Sequence, residues 1–226
     1  MVAHRTVSRW LAGTAWSRIR KVEITGLKRT SSREVHQAAR LPRDGNLMNL
    51  PLDSVAARIN QLPSVKEARV FRRLPGRLVI DVEERCPLAA IAQGDLILVD
   101  EEGRTFKQGR AREVVDVPFL SGEVKPGSAG FKRALGLLLH LREDYPTVYQ
   151  HLGEVSIIGK KLRVRLRDGG AEIRGADIMN PAVLSNLEMF LTQAGTELPV
   201  DMEYVDMRFP GMVITGTGEE PETKPN

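Results

Sequence analysis

VKEARVFRRLPGRLVIDVEERCPLAAI, residues Val65–Ile91, is the stretch that decides the fold of the first part of this chain. In RLVIDVEER, Leu78, Ile80 and Val82 fall on one face, and Asp81 and Glu83 point away. That period of two is the pattern of a half-buried strand. VKEARVFRR before it is a second strand, and the LPG between them, with Pro75 and Gly76, is a hairpin signal. Working upstream, LPLDSVAARINQLP predicts a helix with Pro51 near its start, Asp53 in its first turn and Pro63 closing it. Leu52, Val55, Ile59 and Leu62 recur at helical spacing. TSSREVHQAARL predicts another helix, opened by a capping box in which Ser31 caps and Glu34, three residues on, reaches back. RKVEITG is a short strand, with Val22 and Ile24 on one face and Gly26 at its end. The order strand, helix, helix, strand, strand lets two helices cover one face of a three-stranded sheet, which makes a self-sufficient domain.

Downstream the pattern changes. LILVDEEGRTF predicts a hairpin turning at Glu101–Gly103. DVPFLSG, GEVSII, KKLRVRLRD and AEIRG are short strands, with a DGG turn at Asp168–Gly170. FKRALGLLLHLRED is a helix carrying Phe131, Leu135 and Leu138. NPAVLSNLEMFLTQAG is a helix with Asn180 as N-cap, Pro181 at its first position and Gly195 past its end. Its buried face is Val183, Leu184, Leu187, Phe190 and Leu191. YVDMRFPGMVITG, Tyr204–Gly216, closes the unit as a last strand. Val205, Met207 and Phe209 are expected on one face, Asp206 and Arg208 on the other, with Met212, Val213 and Ile214 continuing past a Pro-Gly break. The whole is α+β: a β-α-α-β-β domain over residues 20–91, then a mixed β-domain with an antiparallel sheet and flanking helices over 92–216. Residues 1–19 form an N-terminal flank. The tail, 217–226, is expected to be disordered, because its composition buries almost nothing.

At 226 residues, with 42% hydrophobic and 27% charged residues, the chain has the composition of a globular protein of one large or two ordinary domains. A net charge of +4 fits nucleic acid, an anionic membrane surface or an acidic partner, and does not choose among them. The single cysteine, Cys86, excludes an internal disulfide and is expected to be a small buried thiol. No apolar run is long enough to span a membrane. Arg5, Arg9, Trp10, Trp16, Arg18 and Arg20 resemble a basic, Trp-marked juxtamembrane flank.

Catalytic chemistry is not visible. His4, His36, His140 and His151 are scattered, and none pairs with another ligand at metal-binding spacing. No nucleophile elbow, P-loop or dinucleotide fingerprint occurs. Glu83–Glu84 and Glu101–Glu102 are adjacent pairs. Neighbours on a strand face opposite ways, so neither is an acid–base couple. The expectation is therefore no enzyme, no cofactor, no metal. Two basic features stand out: Arg69, Arg72, Arg73 and Arg77 around the LPG hairpin, and Lys160, Lys161, Arg163, Arg165 and Arg167 on an alternating strand. A solvated sheet face is one account of both, and recognition of acidic side chains or anionic lipid is the other. Apart from Phe71, neither has the interleaved aromatics of a nucleic-acid binder. Arg72, Arg73 and Arg77 are expected to face solvent.

KVEITGLKRTSSREVHQAARL followed by LPLDSVAARINQLPSVKEARVFRRLPGRLVIDVEERCPLAAI closely resembles a POTRA domain of the FtsQ/DivIB bacterial cell-division family. LPG-x-L-x-I-x-V-x-E-R-x-P-x-A, Leu74–Ala89, carries the strongest likeness. LILVDEEGRTF, VPFLSG and YVDMRFPGMVITG resemble the family's β-domain in order. The resemblance implies a non-enzymatic divisome scaffold on the outer side of the cytoplasmic membrane at the septum, held by a single transmembrane helix expected upstream of Met1. It implies binding of the coiled-coil proteins FtsB and FtsL, with other divisome components, and thereby control of septal peptidoglycan synthesis. The contact would be strand addition at the closing strand, carried by Tyr204, Arg208, Phe209, Met212, Val213 and Ile214, with Lys160 and Lys161 as partner-facing basic residues. Phe209 is either an interface anchor or a core residue, since it shares parity with Val205 and Met207. A POTRA-type chaperone of outer-membrane protein assembly and a basic nucleic-acid-binding module are the alternatives.

Overall fold

In a computed structural model, residues 17–43, 45–93, 95–107, 115–167, 170–174, 178, 180–195, 202–209 and 211–217 are described. The expected juxtamembrane segment up to Trp16, the Asp168–Gly169 part of the DGG turn and the tail beyond Thr217 lie outside these residues. The chain divides into two compact units, Met1–Cys86 with Phe106–Val114, and Pro87–Thr105 with Val115–Asn226. Residues 87–91, expected in the first domain, belong instead to a strand of the second unit's sheet.

In the first unit the elements follow the expected order: β1 (Lys21–Thr25), α1 (Ser32–Ala39), α2 (Leu52–Ile59), β2 (Val65–Arg73) and β3 (Arg77–Glu84). The sheet order is β1-β3-β2, with β1 parallel and β2 antiparallel to β3. β3 is central, so Leu78, Ile80 and Val82 are buried against Val35, Ala39, Val55 and Ile59 of the two helices. The capping box is present: the Glu34 amide donates to Ser31 Oγ at 3.2 Å and the Ser31 amide to Glu34 Oε2 at 2.9 Å. The far end of α1 is closed by Arg58 of α2, whose Nη2 donates to the Ala39 carbonyl at 2.8 Å.

One carboxylate ties this unit together. Glu84 is buried at the end of β3. It accepts main-chain N–H bonds from Lys28 (3.1 Å), Arg29 (2.8 Å) and Thr30 (2.7 Å), and the Arg29 guanidinium lies 3.9 Å away. Burial pushes its pKa up, but the three amides outweigh that and hold it below the ordinary glutamate range. The neighbouring Glu83 faces solvent and pairs with Lys66 at 3.0 Å, as strand parity requires.

The second unit is a nine-stranded sheet. Its strands are β4 (Pro87–Gln93), β5 (Asp95–Asp100), β6 (Thr105–Lys107), β7 (Phe119–Gly122), β8 (Leu152–Ile158), β9 (Lys161–Leu166), β10 (Glu172–Arg174), β11 (Tyr204–Asp206) and β12 (Ile214–Gly216). Their order is β12-β11-β10-β9-β8-β7-β4-β5-β6. The pairs β4–β7, β7–β8 and β10–β11 are parallel, and β8–β9, β9–β10 and β11–β12 are antiparallel. Helices α3 (Ala129–Asp144), α4 (Pro146–His151) and α5 (Pro181–Ala194) join the core. Phe131, Leu138, Leu141, Leu184, Leu187 and Leu191 pack there with Leu120, Val155 and Val164 from the strands. α4 was not expected from the sequence. Its first amides are capped from outside, by Glu188 of α5, which accepts from Thr147 N (3.0 Å) and Val148 N (2.8 Å).

One further expectation is corrected and one is extended. Cys86 is exposed, because it lies at the junction where the chain leaves one sheet for the other. Arg72 is exposed, as expected, but it is also bound. It turns to the helix side of β2, where its Nη2 donates to the Leu50 carbonyl at 2.7 Å and its Nε to that of Leu47, tying down the segment between the helices. Arg73 and Arg77 are exposed as expected.

Candidate partner-binding edge of the second unit

The closing stretch is not one strand. β11 ends at Asp206 and β12 begins at Ile214, and the two pair antiparallel with Tyr204 opposite Gly216 and Asp206 opposite Ile214. Between them the sequence Phe-Pro-Gly-Met sets a turn: the Met212 amide donates to the Phe209 carbonyl at 3.1 Å and Gly211 has φ of 78°. β12 is therefore the edge of the nine-stranded sheet, one strand beyond β11.

This break changes the faces. Val205 and Met207 remain buried, but Phe209 has left the strand and is 46% exposed. Met212 is 56% exposed and Ile214 39%, so three large apolar side chains stand in solvent within six residues. Val213 turns the other way and packs against the core.

The loop is held from within the chain. Asp206, itself buried, accepts from the Arg208 amide at 2.9 Å and from Arg208 Nε and Nη2 at 2.9 and 2.7 Å. The Arg208 guanidinium keeps the Asp206 carboxyl below its usual range. Arg208 is thus already engaged with a carboxylate of its own chain. Tyr204 is half-buried under the Arg174 guanidinium, which lies 4.5 Å from its ring centroid. Arg174 Nη1 is buried without a hydrogen-bond partner among the described groups. The Tyr204 hydroxyl covers Gly216: a Cβ at that position would lie 2.3 Å from it, so only glycine lets the ring lie across β12.

Lys160 and Lys161 are exposed at the β8–β9 hairpin. The registers run Arg165 to Glu172 across β9–β10 and Arg174 to Asp206 across β10–β11, which puts Lys161 toward the same end of the sheet as the 207–213 loop. Arg208, Phe209, Met212 and Ile214 thus lie at the β11–β12 connection, Tyr204 at the other end of β11 opposite Gly216, Lys160 and Lys161 at a hairpin three strands in from β12, and Val213 faces inward. Asp206 and Arg174 were not read from the sequence. Alternation puts Asp206 on the face opposite Val205 and Met207, so no local signal gave its burial.

No group of metal-ligating side chains occurs among the described residues, and His140 is paired with Asp144 at 2.8 Å on its own helix. No described helix is long and apolar enough to cross a membrane.

A three-stranded sheet covered by two helices in β-α-α-β-β order defines a POTRA domain, and residues 17–85 match the family model "POTRA domain, FtsQ-type". Proteins named cell division protein FtsQ are similar over more of the chain. The one from Myxococcus fulvus is 28% identical over 181 residues, 73% of this chain and 64% of the relative. The one from Novosphingobium aromaticivorans is 28% identical over 67% of this chain and 46% of the relative. The one from Geotalea daltonii is 27% identical over 222 residues, 92% of this chain and 78% of the relative. The chain thus spans between about half and three quarters of the length of these relatives. Residues 17–85 are an FtsQ-type POTRA domain, and the chain is similar over most of its length to proteins named cell division protein FtsQ.

Proposed function

We propose that this chain is a non-catalytic divisome scaffold that binds an FtsB-type coiled-coil protein, together with FtsL, by strand addition to β12, and so helps control septal peptidoglycan synthesis. The observation that carries the reading is the sheet edge itself. β12 is the last strand of the sheet, and Phe209, Met212 and Ile214 are exposed beside it. An edge strand offers main-chain N–H and C=O groups in the geometry a partner strand needs, and adjacent apolar side chains add specificity. The Asp206–Arg208 pair holds the loop in place before binding, which lowers the ordering cost of association. Arg208 therefore serves first as a positioning residue, and Lys160 and Lys161 supply the free positive charge for acidic side chains of the partner. In this reading the chain works on the extracytoplasmic side of the cytoplasmic membrane, tethered by a transmembrane helix preceding it.

The test is a titration of the protein with an FtsB-type segment. Phe209→Ala weakens binding about 30-fold if Phe209 is an anchor, corresponding to a hot spot of about 2 kcal/mol. Because the side chain is exposed, the melting temperature stays where it was. Unchanged affinity at unchanged melting temperature removes Phe209 from the interface.

A further inference from the structure

The open face of the first unit's sheet is polarised along its strands. The register places Lys21 of β1, Arg77 of β3 and Arg73 of β2 in one row across all three strands. The next row is Glu23, Val79 and Phe71, and the one after it Thr25, Asp81 and Arg69. Beyond that, Glu83 faces Glu67. One end of this face is therefore cationic and the other acidic. Like charges directly opposite one another destabilise a sheet. Only Glu23 relieves the cationic row among the described residues, at 3.0 Å from Lys21 and 3.4 Å from Arg77. Arg69, by contrast, is matched by Glu67 at 2.8 Å.

The cationic row borders exposed apolar groups. Leu74, at the β2–β3 turn, is 58% exposed, and Phe71 is 47% exposed. The chain also enters the sheet here: the amides of Arg20 and Lys21 both donate to the Gly76 carbonyl, at 2.7 and 3.1 Å. The sequence leading into that point carries Arg5, Arg9, Trp10, Trp16 and Arg18, basic residues and tryptophans of the kind found at a membrane interface.

We propose that this hairpin end, with Arg73, Arg77 and Lys21 in one row and Leu74 at the turn, docks on an anionic lipid surface. The cations meet lipid phosphates, while Leu74 enters the headgroup region. An acidic protein surface would match the charges but leaves the Leu74 tip without a reason. A nucleic acid would want stacking partners, and among the described residues Phe71 is the only aromatic on this face. The contact is separate from the β12 edge, so Phe209→Ala leaves it unchanged.

The experiment is sedimentation of the full chain with vesicles of phosphatidylcholine, with and without phosphatidylglycerol. Binding is expected only with the anionic lipid and weakens as salt is raised. Each removed cation lowers affinity about fivefold, so Arg73→Gln with Arg77→Gln lowers it about 25-fold. Leu74→Ser weakens binding at unchanged charge. Arg69→Gln, on the same face but paired with Glu67, serves as the control and leaves it unchanged. All four positions are exposed, and unfolding curves that superimpose on the parent confirm that the variants fold. Absence of binding to anionic vesicles overturns the proposal. So does equal binding by the double variant, which assigns the lipid affinity to the N-terminal flank. Binding to polyglutamate that Arg73→Gln abolishes, with none to vesicles, assigns the face to an acidic protein.

Discussion

Replacing Glu84 by Gln isolates the contribution of a single negative charge to the first unit. The two carboxylate oxygens share three amides. Oε1 accepts from Lys28 and Thr30, and Oε2 from Arg29. A glutamine oxygen in the place of Oε1 keeps two of these bonds but loses their charge assistance. Its NH2 then opposes the Arg29 amide, leaving two donors face to face. Hydrogen bonds to a charged group are worth about 1.5–3 kcal/mol, against roughly 1 for neutral pairs. Losing one outright and weakening two gives a destabilisation of about 3 kcal/mol. For a unit of this size that corresponds to a drop of roughly 12–24 °C in melting temperature. The pH dependence makes the test sharper. A carboxylate with a folded pKa below the unfolded value stabilises fully above the unfolded value, near about 4.3. That stability is lost as pH falls through the lower folded value. Parent and Glu84→Gln should therefore differ most at neutral pH and converge under acid. The assay is thermal unfolding of the full chain between neutral pH and about pH 3, with amide exchange at Lys28–Thr30 reporting the site. A difference that stays constant across that range would refute the assignment of this stability to an ionised Glu84.

Arg72→Ala should destabilise the first unit by about 1–3 kcal/mol, because the Leu47 and Leu50 carbonyls lose their donor. Arg73→Glu, one residue on, should stay within about 0.5 kcal/mol of the parent, since Arg73 faces Arg77 across the strands. Urea titration of the two variants separates these outcomes. Gly216→Ala forces the Tyr204 ring off β12, and it should raise amide exchange across β11–β12 while leaving the first unit's exchange unchanged. Asp206→Asn releases the Arg208 guanidinium from its carboxylate, so exchange at Arg208 and Met212 should rise.

The first unit was legible because local signals and pattern agree there. Ser31 and Glu34 form the capping box their spacing implies, and the alternation from Leu78 to Val82 places the central strand. What the alternation could not give is the near-complete burial of Val79, on the opposite face of β3 from Ile80. Parity puts Arg72 on the helix-covered face with Ala68 and Val70, opposite Leu78, but alternation could not show that its guanidinium reaches the Leu47 and Leu50 carbonyls, which are distant in sequence. In the second unit, six-residue α4 has too few turns to show a period, and Glu188 caps it from a distant helix. At the candidate site, period-two parity assigned Phe209 to the same face as Val205 and Met207. The parity fails because the strand stops at Asp206, before the Pro-Gly turn. The edge position of β12 depends on the order of all nine strands, which no local pattern encodes.

The central claim is that a partner strand pairs with β12. Its most direct measurement is amide exchange at Met212–Thr217 in the free protein and at saturation with an FtsB-type segment. The account predicts that amides on the outer side of β12 slow by at least tenfold on binding, while β6 at the other end of the sheet is unchanged. Saturated binding with unaltered exchange along β12 would contradict it.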